Sequence, residues 1–542
     1  MSKIIDDIYY TMGFSTCGYY KNIKFPFIID TFSNYYKNDD KTIDIIGNKF
    51  SKNIYYPSFL DGEKIIENDD VLIIFNGIEL IQRPKKLVDF LVRLRNKYGF
   101  KKLFYLQGVS DPYIIPVLVY LGINIFDDLY IRKESQEKIK YNVAGKSHVD
   151  YNPLKENMEF ANGIIESLFD AIKDNTLRDV VEKIAVSSKA LELLRIADTG
   201  YYKDFSGFFP SRTPYILANS MESLNRPDLI RYRNTIINYR KPEKRDIALI
   251  LPCSAKKPYS LSKTHMKIIN EISNYRRYLH ELIVTSPVGL VPRELENSYP
   301  ASSYDIPVIG IWYDDEKNMM NELLKNYLKN NHYDKIIAYI PDDLEFIKDV
   351  LPEDTLFIMG RVTDSDNLDV LNSTLKNIIN SNSSYGNKLY DYRAVYGWHY
   401  NAATSTNGNK LYDYRAVLSF QFGEWIEKYL YDIRIINNFH QDMILKDKKI
   451  LFVYNNKTGK FTITKESAKF FLENNKFNVA IDDFKPTSNV YSVGVRDATD
   501  DIKPFDEVIL TYNNEIRGVG TAMMPYRAMI DLNKGIAVKV RS

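Results

Sequence analysis

The chain holds 542 residues, too many for a single hydrophobic core, and its length predicts three or four domains. Hydrophobic residues make up 45% of the sequence and charged residues 26%, as is typical of globular proteins and not of fibrous or membrane-embedded ones. The formal net charge of +2 neither indicates nor excludes a nucleic-acid partner, because a local basic face can bind phosphates while acidic residues elsewhere cancel its charge.

The apolar runs, the N-terminus and the cysteines indicate which compartment and which kinds of site to expect. No apolar run reaches the ~18 residues that a membrane span needs, and Met1–Asp7 lacks the basic and apolar regions of a signal peptide, so we expect a cytoplasmic protein. Two cysteines, Cys17 and Cys253, are too few for a disulfide framework or a cysteine-rich zinc site. We therefore expect no metal and no cofactor, and Cys253 is free to take part in chemistry.

The N-terminal part is predicted to be a mixed α/β domain over residues 1–165. Residues 71–75 and 102–106 have the apolar runs of buried strands, and residues 84–98 between them have the spacing of an amphipathic helix. Residues 166–240 carry helical periodicity, which predicts a helical connector to the next domain.

The central part, residues 241–380, alternates apolar runs with helical patterns. Such alternation predicts a parallel sheet covered by helices on both faces, that is, a three-layer α/β domain. The predicted strands are Ile247–Leu251, Leu282–Ser286, Ile306–Trp312, Lys335–Ile340 and Thr355–Met359.

The last third divides into a small α+β connecting domain, residues 381–447, and a region of short strands, residues 448–542. Within the connecting domain, Gly386–Val395 recurs without change as Gly408–Val417, which indicates a recent tandem duplication or an error in the recorded sequence. The residues between the copies, 396–407, are rich in turn formers and are predicted to form a surface loop. The final region, with one helix at residues 465–474, is typical of a small β-barrel.

The segment Leu251–His265 has the richest chemistry in the chain. It carries a thiol, a phenol, hydroxyls, ammonium groups and an imidazole between a predicted strand and a predicted helix. Ligands of open α/β sheets bind at the carboxyl ends of strands, so this loop is the candidate site. The alternative is a structural turn and helix cap, for which serines are well suited. Two further polar loops, at residues 285–294 and 312–316, are predicted to face the same cleft.

Five stretches in the central part carry distinctive motifs: Glu222–Pro227, Pro252–His265, Val284–Glu296, Tyr299–Ala301 and Tyr304–Val308. Taken in this order, they resemble the archaeosine synthase family. The resemblance implies a transferase that acts on 7-cyano-7-deazaguanine at position 15 in the D-arm of tRNA and adds an amine across its nitrile. It also implies free lysine as the donor, through its side-chain amine, and a radical-SAM partner enzyme that cleaves the adduct.

The two ends of the chain resemble other RNA-related families. The C-terminal stretches Val490–Val495, Ile502–Val508, Gly518–Gly520 and Gly535–Arg541 look like a PUA domain, a small barrel that binds structured RNA, although Phe505 stands where a turn glycine is usual. Tyr105–Pro112 and Gly122–Asp127 resemble the tRNA-guanine transglycosylase barrel. Asp127 matches that family's nucleophile, but the zinc cysteines and a Pro-Thr-Arg motif are missing, which implies a shortened and catalytically retired copy.

The predicted fold class is therefore α/β multidomain. In chain order, we expect a shortened transglycosylase-like α/β domain, a helical connector, a central three-layer α/β domain with a parallel sheet, a small α+β connecting domain and a C-terminal PUA β-barrel.

The reaction requires an amine to lose a proton, a nitrile nitrogen to gain one, and the donor to be oriented. Cys253 is a candidate nucleophile: with its pKa lowered by a helix N-terminus and by lysines such as Lys257, it would form a thioimidate that the amine displaces. Alternatively, the amine adds directly and Cys253 is a small buried hydrophobic residue. His265 is a candidate proton shuttle, or else a satisfied residue at a helix start.

Other residues of the loops are candidates for binding. Tyr259 would stack on the base or donate to the nitrile nitrogen, or else lie at the edge of the core. Hydroxyls would stabilise the developing anion or cap the helix; they belong to Ser254, Ser260 and Ser262. Lys257 would hold a tRNA phosphate, or else face solvent, rather than act as a base. Arg293 and Glu294 would clamp the donor's carboxylate and ammonium, or else form a structural ion pair.

Two other functions remain open at this point. In the first, the N-terminal region exchanges the base itself, as a transglycosylase does; the missing zinc ligands argue against it. In the second, the chain is a non-catalytic adaptor that binds tRNA through its PUA domain; the dense loop around Cys253 argues instead for an enzyme.

Overall fold

A computed structural model describes residues 9–20, 23–31, 42–45, 48–51, 65–67, 69–381, 404–438 and 441–541. The chain forms two compact units. The first contains Met1–Pro214, Asn225–Asp228 and Phe471–Ser542, and the second contains Tyr215–Leu224 and Leu229–Phe470. The chain thus leaves the first unit and returns to it for its last part.

The N-terminal segment of the first unit is mixed α/β, as predicted. Its strands are β1 (Tyr9–Met12), β2 (Ser15–Tyr20), β3 (Ile23–Phe25), β4 (Phe27–Ile29), β5 (Thr42–Ile45), β6 (Asn48–Ser51), β7 (Ile65–Glu67), β8 (Val71–Ile74), β9 (Leu103–Leu106), β10 (Ile123–Asp127), β11 (Ile139–Asn142) and β12 (Gly145–His148). Its helices are α1 (Gly77–Ile81), α2 (Pro84–Tyr98), α3 (Ile115–Tyr120), α4 (Leu129–Gln136), α5 (Leu154–Lys173), α6 (Leu177–Ile184), α7 (Ser188–Gly200) and α8 (Tyr202–Ser206).

The main sheet of this segment has the order β4-β10-β9-β8-β7. Its first four strands are parallel and β7 is antiparallel. The strands β8, β9 and β10 are buried along their whole length, which is why they appear in the sequence as continuous apolar runs. The two strands and the helix predicted at residues 71–106 are confirmed.

The second unit contains most of α9 (Pro227–Asn238) and is built around a five-stranded sheet. Its strands are β13 (Ile216–Leu217), β14 (Ile247–Pro252), β15 (Leu279–Thr285), β16 (Gly289–Pro292), β17 (Tyr304–Asp305), β18 (Lys335–Ile340) and β19 (Leu356–Met359). Its helices are α10 (Lys263–Glu271), α11 (Asp314–Asn330) and α12 (Ser365–Ser381). The sheet order is β16-β15-β14-β18-β19, with β16 antiparallel to β15 and the other neighbours parallel.

One predicted strand of this sheet is wrong. Ile306–Trp312 has no strand structure, and its apolar side chains face water: Val308 is 49% exposed and Ile309 is 64% exposed. Pro307 lacks a backbone donor, and Gly310 takes a left-handed φ of 68°, so the segment cannot continue a sheet ladder. The fifth strand is instead Gly289–Pro292, and the sheet is mixed because this strand returns antiparallel after a tight turn.

The rest of the second unit contains α13 (Thr404–Phe422) and the antiparallel strands β20 (Arg434–Asn438), β21 (Gln441–Lys446), β22 (Lys449–Asn455) and β23 (Lys460–Ile463), in that order. The second copy of the duplicated segment lies in α13, where Asp413 makes two hydrogen bonds to Arg245, of 2.7 and 3.0 Å. The first copy and residues 396–403 of the predicted loop lie outside the described residues, whereas residues 404–407 form the first turn of α13.

The C-terminal segment adds α14 (Lys465–Glu473), β24 (Asn478–Ile481), β25 (Asn489–Tyr491), β26 (Val495–Ala498), β27 (Glu507–Tyr512), β28 (Glu515–Ala522), α15 (Tyr526–Asp531) and β29 (Ile536–Val540). The strands form one sheet, β25-β29-β28-β27-β24-β26. Strands β22 and β23, which the sequence analysis placed in this barrel, pair instead with β20 and β21. Phe505 takes the left-handed φ of 69° expected of the usual glycine, so the turn is kept.

The C-terminal segment packs on the N-terminal segment of the same unit. The Asp531 carboxylate accepts a hydrogen bond of 3.0 Å from the backbone N–H of Phe100 and one of 2.8 Å from Arg527. The backbone N–H of Ser211 donates to the carbonyl of Pro504 over 2.9 Å. In the part of the chain described, no helix is long and apolar enough to cross a membrane.

Candidate functional site

The order of the strands in the second unit predicts a crevice at the carboxyl ends of β14 and β18. The connection from β14 leads to β15 on one side, whereas the connection from β18 leads to β19 on the other. Adjacent strands whose connections diverge in this way leave an opening between their loops, where ligands of open α/β sheets bind. Cys253 follows β14 directly, and Asp343 lies in the 3-10 helix Asp342–Val350 that follows β18. The two residues therefore flank the crevice.

Cys253 is half-buried at this position. Since Pro252 is paired with Val284 in parallel register, the next residues along the strands, Cys253 and Thr285, are neighbours, and the Thr285 hydroxyl hydrogen-bonds the thiol. Burial raises the pKa of the thiol; the Thr285 hydrogen bond and the positive charge of Lys257 lower it by less. The negative charge of Asp343 raises it slightly.

This pKa corrects the expectation of an activated thiolate. The helix after the loop begins at Lys263, not beside Cys253, so its N-terminal dipole does not act on the sulfur. Burial dominates the remaining influences. Cys253 is therefore a protonated thiol near neutral pH and needs a base before it can attack a carbon atom.

Lys257 is the lysine of the loop that lies near the Cys253 thiol. Its Nζ atom is 3.8 Å from the centroid of the Tyr304 ring, and the residue is half-buried. Burial lowers the pKa of this ammonium, and the opposite charges of Asp305 and of Cys253 in its ionised form only partly compensate. The Tyr304 hydroxyl bonds the hydroxyls of Thr285 and Tyr259, the latter over 2.7 Å. These contacts form a polar cluster beneath the thiol.

The structure does not place His265 where it can shuttle protons. Its side chain is fully buried, and Nδ1 accepts a hydrogen bond of 2.8 Å from the guanidinium of Arg293. Nε2 must then carry the proton, which it donates to the carbonyl of Pro252 over 3.0 Å. Burial and the charge of Arg293 lower the pKa of His265 to about 3. The neutral ring is a positioning group that ties the start of α10 to the end of β14.

Arg293 is the centre of a buried ion network and not an open clamp for a carboxylate. It donates to Glu281 over 2.8 Å and to Glu296 over 2.9 Å, and its side chain is only 10% exposed. Glu281 also accepts from Arg276 over 2.7 Å, and although burial raises the pKa of Glu281, the two arginines lower it further, to about 2. This favours the structural alternative for Arg293.

Glu294 is likewise a buried structural group. Its carboxylate accepts from the Tyr239 hydroxyl and pairs with Nε2 of His280 over 3.0 Å, and its side chain is 4% exposed. Glu294 and Arg293 therefore have separate partners, and the structure does not bring them together as a clamp for an amino acid.

The remaining predicted residues build the loop. Ser262 caps α10, because its hydroxyl accepts from the backbone N–H of His265 over 3.1 Å. Tyr259 is fully buried with its hydroxyl on Tyr304, so it is not free to stack on a base. The backbone N–H of Ser260 donates to Glu296 over 2.9 Å, which ties the loop to the arginine network. The exposed hydroxyl of Ser254 donates to the carbonyl of Lys256 over 3.1 Å.

Sequence reasoning missed three members of the site. Asp343 and Asp305 are exposed acids at the crevice, and Thr285 contacts the thiol. The order of the strands would have revealed Thr285 and Asp343, because both lie at the ends of the strands that flank β14. In the described ranges, no group of three or more His, Cys, Asp or Glu side chains could hold a metal ion.

In the first unit, the strand end that corresponds to the end of β14 is that of β10, and it is closed to solvent. Asp127 ends β10, is fully buried, and accepts hydrogen bonds from the backbone N–H groups of Gly108 (2.7 Å) and Leu129 (3.1 Å) and from the Tyr105 hydroxyl (2.9 Å). Burial raises its pKa to about 6, and these hydrogen bonds oppose the rise. A fully buried carboxylate that already accepts three hydrogen bonds is not placed to act as a nucleophile, which supports the prediction of a retired copy.

Comparisons with known proteins agree with this picture. A family described as a domain of unknown function, DUF5591, matches residues 229–375, and the PUA domain family matches residues 479–542. The chain is 47% identical over 530 residues to the archaeosine synthase subunit alpha of Thermoplasma acidophilum, which covers 98% of both proteins. It is 28% identical over 526 residues to the subunit alpha of Methanosarcina acetivorans, covering 89% of this chain and 81% of that protein.

A more distant relative is the tRNA-guanine(15) transglycosylase of Methanococcus vannielii, 22% identical over 516 residues, which spans 85% of this chain and 68% of that enzyme. This agrees with the resemblance of the N-terminal segment to that barrel, and the PUA match confirms the predicted C-terminal domain. With nearly half of its residues identical to a relative along almost the full length of both, the chain belongs to the archaeosine synthase family.

Proposed function

We propose that this protein is a tRNA-modifying transferase of archaeosine biosynthesis, which adds an amine to the nitrile of 7-cyano-7-deazaguanine at position 15 of tRNA. Relatives across several archaea carry the name archaeosine synthase, which supports the role. The observation that carries the site is the half-buried Cys253 thiol at the divergence of β14 and β18. A cytoplasmic location is part of the proposal.

The donor is free lysine, which reacts through its side-chain amine. Two exposed carboxylates at the crevice support a cationic donor: the charge of Asp343 acts on Cys253, and that of Asp305 acts on Lys257. A lysine molecule carries two ammonium groups at neutral pH, so one can pair with a carboxylate while the other is deprotonated for attack. This reasoning assigns the acids to donor binding.

The reaction is covalent at Cys253. The sulfur attacks the electrophilic nitrile carbon to form a thioimidate, and the amine then displaces the thiol, which divides one difficult addition into two easier steps. The position of the thiol at the crevice, bonded to Thr285 and close to Lys257, supports this route. Direct addition of the amine, with Cys253 only packing beneath the loop, is the competing mechanism.

The tRNA is held in part by the C-terminal PUA domain. Arg496 and Arg517 lie 5.1 and 5.2 Å from the ring centroid of Tyr512, and Tyr491 and Val493 are exposed on the same domain. Guanidinium groups bind phosphates, and exposed rings stack on bases. A separate radical-SAM partner cleaves the lysine adduct, since an iron–sulfur cluster needs more cysteines than Cys17 and Cys253.

Incubation of the full-length protein with lysine and tRNA that contains 7-cyano-7-deazaguanine tests the function, with the nucleosides analysed by mass spectrometry. The expected product has the mass of the nitrile nucleoside plus one lysine. Release of the deazaguanine base would instead indicate base exchange, and an unchanged nucleoside would indicate a binding adaptor. When lysine is withheld, the covalent route predicts a protein–tRNA adduct with wild-type protein and none with Cys253→Ala.

A further inference from the structure

We propose that Lys257 is the proton carrier of the reaction, passing one proton between the Cys253 thiol, the nitrile nitrogen and the incoming amine. The inference rests on the proposed function and goes beyond it, because it assigns the acid–base role to a residue that the sequence pattern assigned to phosphate binding.

The geometry of the loop sets Lys257 apart from the other candidates. Its Nζ atom lies over the Tyr304 ring at 3.8 Å, in the cluster that contains Thr285 and the Cys253 thiol. Lysine and cysteine are close enough for each to act on the other's charge state. The aromatic face holds the cationic form of the lysine, and the half-buried position favours the neutral form, so both forms are accessible to one side chain.

The other acid–base groups of this region are not available for proton transfer, because they are held by hydrogen bonds or are buried. His265 is locked between Arg293 and the carbonyl of Pro252. Tyr259 and Tyr304 are fully or nearly buried phenols, and burial raises the pKa of each well above its usual range. Neither phenol loses its proton readily near neutral pH, so neither serves as the base.

The charged groups around Lys257 are consistent with this role. The charge of Asp305, at the end of β17, acts on Lys257, and the charge of Asp343, which follows β18, acts on Cys253. The Asp343 carboxylate accepts a hydrogen bond of 2.8 Å from the indole of Trp312, which fixes its position. These acids attract the donor's ammonium to the amine of Lys257, where its proton can be removed.

The steps balance without an oxidant or reductant. Neutral Lys257 takes the thiol proton, a C–S bond forms at the nitrile carbon, and the Lys257 ammonium gives its proton to the nitrile nitrogen, leaving a thioimidate. Lys257 then takes a proton from the donor ammonium, the free amine forms a C–N bond, the C–S bond breaks, and the departing sulfur or the new amidine receives the proton. The net change is the addition of one amine N–H across the carbon–nitrogen triple bond.

Lys257→Arg is the deciding variant, because arginine keeps the positive charge and the contact with Tyr304 but does not release its proton. We expect single-turnover formation of the lysine adduct to slow by about 100-fold or more in Lys257→Arg and in Lys257→Gln, the usual size of a lost general acid–base. Lys267→Gln, which removes one exposed ammonium from α10, should stay within about twofold of wild type. tRNA affinity at a fixed moderate salt should be equal in wild type and Lys257→Arg.

A near-normal rate in Lys257→Arg would overturn the inference, since Lys257 would then act only as a charge. A second measurement needs no variant: acylation of each lysine in the wild-type protein is followed against pH by peptide mass spectrometry. Lys257 should titrate below the ordinary value of about 10.4, and a midpoint at or above it would overturn the inference. If wild-type protein forms no lysine adduct at all, the proposed function fails; if wild type and Lys257→Arg form it equally fast, only this inference fails.

Discussion

The first unit and the second unit each carry a chemically capable side chain at the end of a buried parallel strand, yet only one of the two strand ends is open. Asp127 ends β10 with three donors on its carboxylate and no exposure. Cys253 follows β14, half-buried, with a single neutral hydroxyl and one ammonium beside it. A strand end becomes a site when its reactive group retains unused bonding capacity and a path to solvent.

Alanine variants of Cys253 and Asp127 should show the largest difference in the rate of lysine-adduct formation. Cys253→Ala should reduce lysine-adduct formation by at least about 100-fold if the route is covalent. Asp127→Ala should leave that rate within about twofold, although it removes the acceptor of buried donors and costs about 1–3 kcal/mol of the free energy of unfolding. Adduct formation is followed by mass spectrometry and stability by urea unfolding.

A Cys253→Ala protein that folds, binds tRNA and forms the adduct at near wild-type rate would remove the covalent route. Loss of adduct formation in Asp127→Ala, with the fold intact, would show that the closed pocket still takes part in catalysis.

The ion network that supports the open site should be costly to break. Glu281→Gln leaves Arg276 and Arg293 facing an uncharged partner in a buried place, and we expect a loss of about 3–5 kcal/mol in the free energy of unfolding. The control is Asp354→Asn, which breaks the exposed pair with Lys335 and should change stability by less than about 1 kcal/mol. Equal effects in the two variants would show that the network does not stabilise the fold.

Acid should loosen the open site and not the closed one, because the folded chain holds the Asp127 proton more tightly than an unfolded chain does, with a pKa of about 6. A histidine titrates near 6.5 in an unfolded chain, whereas the pKa of His265 in the folded protein is about 3. Between these pH values the unfolded chain binds a proton that the folded chain does not. The contribution of His265 to the free energy of unfolding is therefore complete above pH 6.5 and is lost as the pH falls toward 3. Glu281, with a pKa of about 2, adds to this loss only below about 4.5.

Hydrogen exchange measured by mass spectrometry at pH 7 and pH 5, corrected for intrinsic exchange rates, should therefore show weaker protection of residues 247–296 at the lower pH. His265→Asn should weaken this protection at pH 7 and remove most of its difference between the two pH values. A pH difference that persists unchanged in the variant would assign it to another group.

Removal of the first repeat copy should have the smallest effect. Deleting residues 386–407 leaves the second copy, whose Asp413 binds Arg245 at the start of β14 and whose Tyr414 hydroxyl bonds Asp442. We expect the melting temperature to change by no more than about 3 °C and adduct formation to remain. A cooperative melt lowered by many degrees would show that the first copy is part of the structure.

From the sequence, the strands of the second unit's sheet could be predicted better than the chemical roles of its site residues. Lys335–Ile340 is a strand as predicted, because burial on both faces leaves an uninterrupted apolar run. Ile306–Trp312 has a similar run and is exposed loop, since composition does not report what covers a segment. The roles predicted for His265 and Arg293 could not be checked from the sequence, because their partners come from distant positions in the chain and burial decides their protonation.

The return of the chain to the first unit affects how the protein is made. The whole of the second unit lies between Tyr215 and Phe470, so the ribosome has synthesised all of it before β24 to β29 of the first unit exist. The second unit can thus fold while the first still lacks Asp531, the carboxylate that binds the backbone of Phe100. A premature stop codon after residue 471 would therefore damage the earliest-made part of the protein, and it would leave Cys253 in a unit that is already complete.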